Sequence, residues 1–289
     1  MISDAPCKLN LMLAITGVRE DGFHDLVSLV VPVDFCDTLE CETAAGTQDR
    51  LFCEMPGVPC DERNLVLRAT RLYRESVPEL PALDWRLKKS VPHGAGLGGG
   101  SSDAATALKV MNSLCGNALG TEDLLAMAAK LGSDVPLFVG GNAVVMRGRG
   151  EKIQHLEARH CAALRERRFL IFKPAFGIPT AEIYGKMRRE RRYYFSRELA
   201  EERLKAWLDA PVGALPLFNN MEEPAFEKYC ALPALFALLR ERFGLVAHMS
   251  GSGSACFVEL SANTDSAALE DFVRASWGDS ACVRLVRPL

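Results

Sequence analysis

The segment at residues 92–105 constrains this chain more than any other, and its sequence is PHGAGLGGGSSDAA. Its glycines lack a Cβ, so several backbone N–H groups can converge on one anion. A short strand is expected before the segment at Trp85–Lys89, and Ser101 and Ser102 stand where a helix begins. A helix N-terminus carries a partial positive charge that favours anions. The order strand, glycine loop and helix therefore predicts a phosphate-binding site rather than a flexible surface turn.

Three familiar phosphate-binding motifs do not describe this segment. A Walker A loop needs Gly-Lys followed by Ser or Thr, and neither GKS nor GKT occurs in the sequence. The HRD and DFG motifs of protein kinases are also missing. Gly94, Gly96 and Gly99 satisfy GxGxxG, but a dinucleotide fold also requires a strand that ends in an acidic residue about 20 positions later. A second helix with Glu122 and Asp123 at its start is predicted there instead, which disfavours that fold.

Composition excludes several other classes of protein. The chain has 289 residues, 48% of them hydrophobic, which is enough for a sizeable core and argues against disorder. The net charge of −3 gives no support to a nucleic-acid partner. No apolar run approaches the roughly 18 residues of a membrane helix, and the first ten residues lack the pattern of a secretory signal. We therefore expect a cytoplasmic protein with neither a membrane nor a nucleic-acid partner.

Ten cysteines are scattered along the chain, without a CxxC pair or a zinc-ligand spacing. We expect thiols that pack as small hydrophobic groups, rather than a disulfide framework or a metal site.

The hydrophobic pattern predicts an α/β chain with two domains. The stretch 155–168 is rich in charge and poor in strand signals, so the boundary is placed there, giving domains 1–155 and 156–289. Predicted strands lie at Lys8–Thr16, Val27–Asp34, Thr38–Cys41, Trp85–Lys89, Asn142–Met146 and Phe169–Lys173, with a strand-loop-strand at Leu245–Leu260. Predicted helices lie at Asn64–Arg74, from the glycine segment to Gly116, at Thr121–Leu131, and around 180–208 and 223–242.

The glycine segment resembles the ATP-binding signature of the GHMP kinases, which include galactokinase, homoserine kinase and mevalonate kinase. Within that superfamily, three further segments resemble the 4-diphosphocytidyl-2-C-methyl-D-erythritol kinases. They are APCKLNLMLAITGVREDGFHDL at 5–26, LGSDVPLFVGGNA at 131–143 and MSGSGSACF at 249–257. The matches run in family order and span nearly the whole chain.

The resemblance implies a two-domain α/β (α+β) GHMP fold with the active site in the cleft between the domains. It implies transfer of the γ-phosphoryl group of ATP, with Mg²⁺, to the 2-hydroxyl of 4-diphosphocytidyl-2-C-methyl-D-erythritol, a small-molecule substrate of non-mevalonate isoprenoid synthesis. Two alternatives stay open, namely a GHMP kinase for a mevalonate- or homoserine-type acceptor and a non-catalytic ATP-binding relative.

The resemblance also assigns the catalytic residues. It makes Asp134 the group that positions the acceptor hydroxyl and accepts its proton. It makes Lys8 the cationic partner, which would keep Asp134 ionised, polarise the hydroxyl or stabilise the transferred charge. Ser102 lies at the junction of loop and helix, so its hydroxyl is the candidate to bind Mg²⁺ or the β-phosphate, and no second metal ligand is identified. The expected ATP-binding residues are Asn64, Pro92, His93, Gly94, Ala95, Gly96, Leu97, Gly98, Gly99, Gly100, Ser101 and Ser102. Asn64 equally suits a helix N-cap.

The remaining candidates are expected to bind the acceptor. Phe23 and Tyr184 are candidates to sandwich the cytosine ring, and His24 to recognise the cytidine end. The full set of expected substrate-binding residues is Asn10, Phe23, His24, Thr180, Tyr184, Gly251 and Ser252.

Two features depart from this simple picture. Asn220 stands in FNNMEEP (218–224) where the family usually has an aspartate, and we expect it to have a structural role. The basic run KMRRERR (186–192) is expected to be a solvated helix face that attracts the anionic substrate, rather than an RNA-binding patch.

Overall fold

Two long strands begin the chain, β1 (Ile2–Val18) and β2 (His24–Thr43), because nearly every second residue of each is apolar and buried. The structure is a computed structural model that describes residues 1–211 and 213–289. The other strands are β3 (Arg50–Phe52), β4 (Leu83–Lys88), β5 (Val144–Gly148), β6 (Lys152–His155), β7 (Arg168–Lys173), β8 (Phe218–Asn219), β9 (Ala247–Met249), β10 (Cys256–Leu260) and β11 (Cys282–Val286).

The helices begin after β3. They are α1 (Leu65–Ser76), α2 (Gly99–Leu114), α3 (Thr121–Leu131), α4 (Val135–Gly140), α5 (Ala158–Arg165), α6 (Thr180–Arg189), α7 (Arg197–Asp209), α8 (Glu222–Phe226), α9 (Ala231–Phe243) and α10 (Ser266–Trp277), with a 3₁₀ turn at Arg191–Tyr193.

The chain forms two compact units, each built from segments that are separate in sequence. The predicted domains 1–155 and 156–289 are a single cut of the sequence, and that boundary stays a prediction. The first unit contains Met1–Cys7, Phe35–His93 and Gly98–Asn142, and the second contains Lys8–Asp34, Gly94–Leu97 and Ala143–Leu289.

In the first unit, helices α1 to α4 pack on one another and on a small sheet. The sheet joins the end of β2 to β4 in antiparallel fashion, and β4 to β3 in parallel. The Trp85 Nε1–H of β4 donates to Thr70 Oγ1 of α1 at 3.0 Å, and the Tyr73 hydroxyl of α1 donates to Asn112 of α2 at 3.0 Å. These buried hydrogen bonds fix helices and sheet to one another.

The second unit contains the start of β2 paired with β5, β5 paired with β6, and β1 paired in parallel with β8. It also contains an antiparallel sheet with the strand order β11-β7-β10-β9. Helices α6, α8, α9 and α10 cover the latter, and its core is apolar, with Phe172, Ile183, Met187, Leu235, Leu239, Met249 and Val258 fully or almost fully buried.

Several predicted boundaries were wrong. Val27–Asp34 and Thr38–Cys41 belong to one strand, because the alternation of buried residues continues through Phe35. The charged stretch 155–168, for which no helix or strand was predicted, contains α5, and the domain boundary placed there stays a prediction. The region 223–242 holds two helices, since Pro233 has no N–H to donate to residue 229 and fits only the first turn of α9. The region 180–208 is likewise divided, and Ser196 caps α7 by accepting from Leu199 N–H at 3.2 Å.

Within the described residues, no helix is both long enough and apolar enough to cross a bilayer.

Candidate active site

The glycine segment contributes residues to both units. Pro92, His93 and Gly98–Ser102 belong to the first unit, whereas Gly94–Leu97 belong to the second. The predicted site residues are therefore described unit by unit.

In the first unit, the end of the glycine segment forms the start of α2. Gly98 is the N-cap residue and has φ +69°, a left-handed conformation that favours glycine. Ser102 N–H donates to Gly98 O at 3.0 Å and closes the first helical turn. The N–H groups of Gly99, Gly100 and Ser101 precede that bond, so the helix supplies no partner for them. This is the arrangement that binds phosphate at a helix N-terminus.

Ser102 has its hydroxyl group in the first turn of α2. Its side chain is fully buried, and among the residues described by the structure none hydrogen-bonds to its Oγ. The same residues contain no group of three His, Cys, Asp or Glu side chains that could hold a metal ion. A buried hydroxyl without a partner fits Mg²⁺, which takes one or two protein ligands together with water and substrate phosphate.

Asn64 and Asp134 stand at the beginnings of two other helices of this unit. Asn64 caps α1, since its Oδ1 accepts from Val66 N–H at 2.9 Å and its Nδ2 donates to Pro59 O at 2.8 Å. The N-cap interpretation is confirmed, and the contact with nucleotide stays a prediction. Asp134 is half-buried at the residue before α4, which has Pro136 in its first turn.

In the second unit, Gly94–Leu97 is attached to β1 and to the loop 250–255. Lys8 N–H donates to Leu97 O at 2.9 Å, and Ala255 N–H to Ala95 O at 3.0 Å. Ser250 Oγ donates to Gly96 O at 3.1 Å. A Cβ on Gly96 would lie 2.1 Å from Ser250 O, and Gly96 has φ +80°, so only glycine fits.

Lys8 and Asn10 lie next to each other on β1, and both are buried, at 5% and 7% exposure. The Lys8 ammonium donates to Asn10 Oδ1. Asn10 Nδ2 donates to Ser28 Oγ at 2.9 Å, and Asn10 N–H to Ser250 Oγ at 3.2 Å. The polar face of β1 is therefore covered by a hydrogen-bond network, and Lys8 is held in it rather than exposed.

The loop after β9 brings Gly251 near Asn10 and Ser252 near Thr180. A Cβ on Gly251 would lie 3.3 Å from Asn10 Oδ1. Ser252 Oγ and Thr180 Oγ1, at the start of α6, are 2.7 Å apart. Asn219 Nδ2 holds this loop by donating to Met249 O and Gly251 O, both at 2.8 Å. Sequence reasoning missed Ser28, Asn219 and Ser250 because no local pattern marks their role.

The second unit also contains an aromatic cluster of His24, Tyr184 and Tyr194. The His24 ring lies 4.6 Å from that of Tyr184 and 5.9 Å from that of Tyr194, between centroids. Phe23 is 53% exposed, with the Arg149 guanidinium 5.0 Å from its ring centroid. Burial, together with the Arg188 charge, lowers the pKa of His24 below its ordinary value. No described residue hydrogen-bonds to His24 Nε2, so a neutral imidazole has one polar atom left for a ligand.

The structure accounts for both departures noted in the sequence. Asn220 Oδ1 accepts from Ile15 N–H at 2.8 Å, and its Nδ2 donates to Ile15 O and Tyr193 O at 2.9 and 2.7 Å. The expected structural role of Asn220 is therefore confirmed. In the basic run, Lys186 and Arg192 pair with Glu190, Glu223 and Glu227, so acidic neighbours offset part of its charge.

Comparison with known families gives two matches along the chain. The model of the GHMP kinases N terminal domain matches residues 64–142, and the model for the GHMP kinases C terminal region matches residues 198–279. Together these ranges cover more than half of the chain.

Individual relatives carry a narrower name. A 4-diphosphocytidyl-2-C-methyl-D-erythritol kinase of Synechococcus sp. (strain CC9311) is 35% identical over 289 residues, which span 96% of this chain and 92% of the relative. The enzyme of that name from Methylibium petroleiphilum is 39% identical over 257 residues, or 88% of this chain and 83% of the relative.

Solved structures agree both with the GHMP kinase family models and with the narrower name of the relatives. A crystal structure of 4-(cytidine 5'-diphospho)-2C-methyl-D-erythritol kinase superposes with a TM-score of 0.80 at 32% identity, covering all of both chains. The mevalonate kinase of Methanococcus jannaschii gives a TM-score of 0.71 at 14% identity over 100% of this chain and 98% of its own, a likeness of fold alone. The chain therefore belongs to the GHMP kinase family and, within it, to the 4-diphosphocytidyl-2-C-methyl-D-erythritol kinases.

Proposed function

We propose that this chain transfers the γ-phosphoryl group of ATP to the 2-hydroxyl of 4-diphosphocytidyl-2-C-methyl-D-erythritol, in non-mevalonate isoprenoid precursor synthesis. The contact between the His24 and Tyr184 rings, with Phe23 exposed next to His24 in the sequence, supports this choice of acceptor. Mevalonate and homoserine have no aromatic ring, whereas the proposed acceptor ends in a cytosine base. Stacking of a base on an aromatic side chain is worth roughly 1–3 kcal/mol, and the His24 Nε2 atom can hydrogen-bond to the edge of the base.

ATP is proposed to bind the glycine segment with its phosphates. The N–H groups of Gly99, Gly100 and Ser101 at the start of α2 support this part of the proposal, because they point along the helix axis toward an anion. Pro92, His93 and Gly94–Leu97 complete the proposed ATP-binding loop, and Asn64 is proposed to contact the nucleotide.

The chemical step is proposed to depend on Asp134 and Lys8. Phosphoryl transfer to an alcohol needs a group that orients the hydroxyl and accepts its proton, and the Asp134 carboxylate is proposed for that role. The Lys8 ammonium is proposed to stabilise the negative charge that develops during transfer. Its burial supports this, because a charge acts more strongly where water is excluded.

The methylerythritol part of the acceptor substrate is proposed to contact Asn10, Thr180, Gly251 and Ser252. Asn10 fixes the Lys8 ammonium through its Oδ1 atom, and the hydroxyls of Thr180 and Ser252 are close enough to share one polar group of the substrate. These contacts position the acceptor for attack, which is the main contribution of an enzyme to phosphoryl transfer.

Mg²⁺ is proposed to accompany ATP, with Ser102 Oγ as its protein ligand. The bound ion would neutralise charge on the phosphates.

The proposal also covers partners and setting. The substrate is a small molecule, and neither a nucleic acid nor a membrane is proposed as a partner. A cytoplasmic setting is proposed because no two of the ten cysteines, all among the described residues, form a disulfide, as expected in a reducing compartment.

The test is ADP release from Mg-ATP in the presence and absence of the acceptor, for the wild type and for Asp134→Asn. The amide cannot take up the hydroxyl proton, so we expect turnover to fall at least about a hundredfold. Affinity for ATP, measured by calorimetry, should not change. Glu122→Gln, an exposed carboxylate in α3, is the control and should keep full turnover.

Two results would contradict the proposal. One is wild-type turnover by Asp134→Asn, which would remove the assigned base. The other is a folded, ATP-binding wild type that phosphorylates mevalonate or homoserine and leaves the cytidine-linked acceptor unchanged.

A further inference from the structure

A buried lysine follows the last residue of β4. The side chain of Lys89 is 2% exposed, and those of its two acidic partners, Asp37 on β2 and Asp103 on α2, are 0% and 3% exposed. Lys89 Nζ donates to Asp103 Oδ2 at 2.8 Å and also to Asp37 Oδ2. The three side chains, called here the Lys89 triad, join three elements of the first unit.

The Lys89 triad also holds the backbone that leads into the glycine segment. Asp37 Oδ1 accepts from the N–H groups of Ser90 and Val91 at 2.7 and 2.8 Å. At the other end of the segment, a Cβ on Gly99 would lie 3.1 Å from Lys89 Nζ and 3.3 Å from Asp37 Oδ2. The triad therefore packs closely against Gly99, the first residue of α2, on the side where a Cβ would lie.

Burying these three charges is a poor way to stabilise a fold. Each ion loses its hydration at a cost of several kcal/mol, and apolar replacements of such clusters are often neutral or stabilising. The triad has two carboxylates for one ammonium, and Asp103 Oδ1 has no hydrogen-bond partner among the residues that the structure describes. Burial lowers the pKa of Lys89, but Asp103 and Asp37 outweigh it and raise that pKa above its ordinary value, so the lysine stays charged.

We propose that Lys89 is a positioning residue for ATP, which fixes the turn Gly98–Ser102 in the conformation that receives the phosphates. It acts through Asp37, Asp103 and Gly99. The inference rests on the proposed function only in that the glycine segment binds ATP, so it can be tested by ATP binding without the acceptor.

The experiment compares Lys89→Met with Lys88→Met in the full chain. Lys88, the last residue of β4, is exposed, so its variant removes the same charge from the neighbouring position. We expect Lys89→Met to weaken ATP binding, measured by calorimetry, by about tenfold or more, since the loss of one hydrogen bond to a charged phosphate has an effect of that size. The KM for ATP should rise in parallel, while the KM for the acceptor should stay constant. Lys88→Met should bind ATP like the wild type.

Three results would overturn the inference. One is a folded Lys89→Met protein that binds ATP like the wild type, even with a lower Tm, since the triad would then serve stability alone. Another is an equal loss of ATP affinity in Lys89→Met and Lys88→Met, which would indicate that ATP is attracted by positive charge in general and not by the position of Lys89. If Lys89→Met does not fold, Asp37→Asn replaces it, because its amide oxygen can still accept from Ser90 and Val91 while the charged link to Lys89 is lost. Unchanged ATP affinity in that variant is the third contrary result.

Discussion

At the scale of single residues, the geometry of the site depends on positions that accept only one type of residue. Gly96 is the strongest case, because its φ of +80° and the Ser250 carbonyl both exclude a Cβ. Gly94 has a similar φ of +64° but nothing within 4 Å of its Cβ position. A substitution at Gly94 therefore measures the free-energy cost of the left-handed backbone alone. A substitution at Gly96 adds the steric clash of a Cβ with Ser250 O.

We expect Gly94→Ala to lower the free energy of unfolding by about 1 kcal/mol, from the left-handed backbone alone. Gly96→Ala should cost at least about 2 kcal/mol, because Ser250 must also move. Urea denaturation of both variants measures the difference. Equal losses would contradict the close approach of Gly96 to Ser250.

Single residues also indicate how far the sequence could predict the site. Lys8 and Asp134 were named from family resemblance, but their strand and turn patterns alone would not have distinguished them. Lys89 was missed, although the alternation of Leu83, Trp85 and Leu87, continued to the residue after β4, predicts a buried side chain there. The role of Ser250 could not be predicted from the sequence, because its Oγ accepts a hydrogen bond from Asn10 N–H, 240 residues earlier in the chain.

At the scale of elements, short strands depend on side chains for their position. Strand β8 has only two residues, and it pairs with β1 at Met12 and Leu13. Asn220, directly after it, continues the attachment through three hydrogen bonds to Ile15 and Tyr193. Two of these need the N–H₂ group, which an aspartate lacks.

Replacing Asn220 by aspartate should therefore destabilise this chain, although the family resemblance of the sequence would lead one to expect an aspartate there. The carboxylate would face the carbonyls of Ile15 and Tyr193, and we expect a loss of about 1–3 kcal/mol in the free energy of unfolding. The KM for the acceptor should not change. Asn142→Asp, at an exposed asparagine, is the control for chemical denaturation. A stable Asn220→Asp with an altered acceptor KM would instead assign Asn220 to substrate recognition.

Elements with a regular apolar period were predicted well, and those without one were not. Strand β7 and helix α3 show a clear pattern, and both were placed within a residue of their observed bounds. Helix α5 was missed because only His160, Cys161 and Leu164 of its residues are buried, which is too short a stripe to show a period. The break between α8 and α9 was also missed, because both flanking segments are apolar on one side and only Pro233 marks it.

At the scale of the whole molecule, the ten cysteines make a set of internal probes. Cys60 and Cys230 are exposed, whereas Cys7, Cys41, Cys161 and Cys256 are buried. Burial raises the pKa of Cys41 to about 11 and that of Cys256 well above its ordinary value. Exposure therefore favours reaction at Cys60 and Cys230, whereas burial disfavours the reactive thiolate at Cys41 and Cys256.

We expect iodoacetamide to modify Cys60 and Cys230 first in the native protein, and all ten cysteines after denaturation. Peptide mass spectrometry over a time course gives the order. Dithiothreitol should leave the Tm unchanged, because there is no disulfide to reduce among the ten. Modification of Cys256 as fast as Cys60 would contradict the packing of the second unit.

The discontinuous units have a consequence for how the protein is made. All residues of the first unit have been added once the ribosome reaches residue 142. The strand residues Pro32 and Asp34 must wait longer, because they bond to Leu289 and Arg287. Arg287 follows Asp34 by 253 residues, which is roughly 10–50 s of synthesis. During that interval the start of β2 can already pair with β5, but Pro32 and Asp34 lack their partners, so we expect this part of the strand to leave the nascent chain exposed to aggregation, and in need of a chaperone, until residues 287–289 are made.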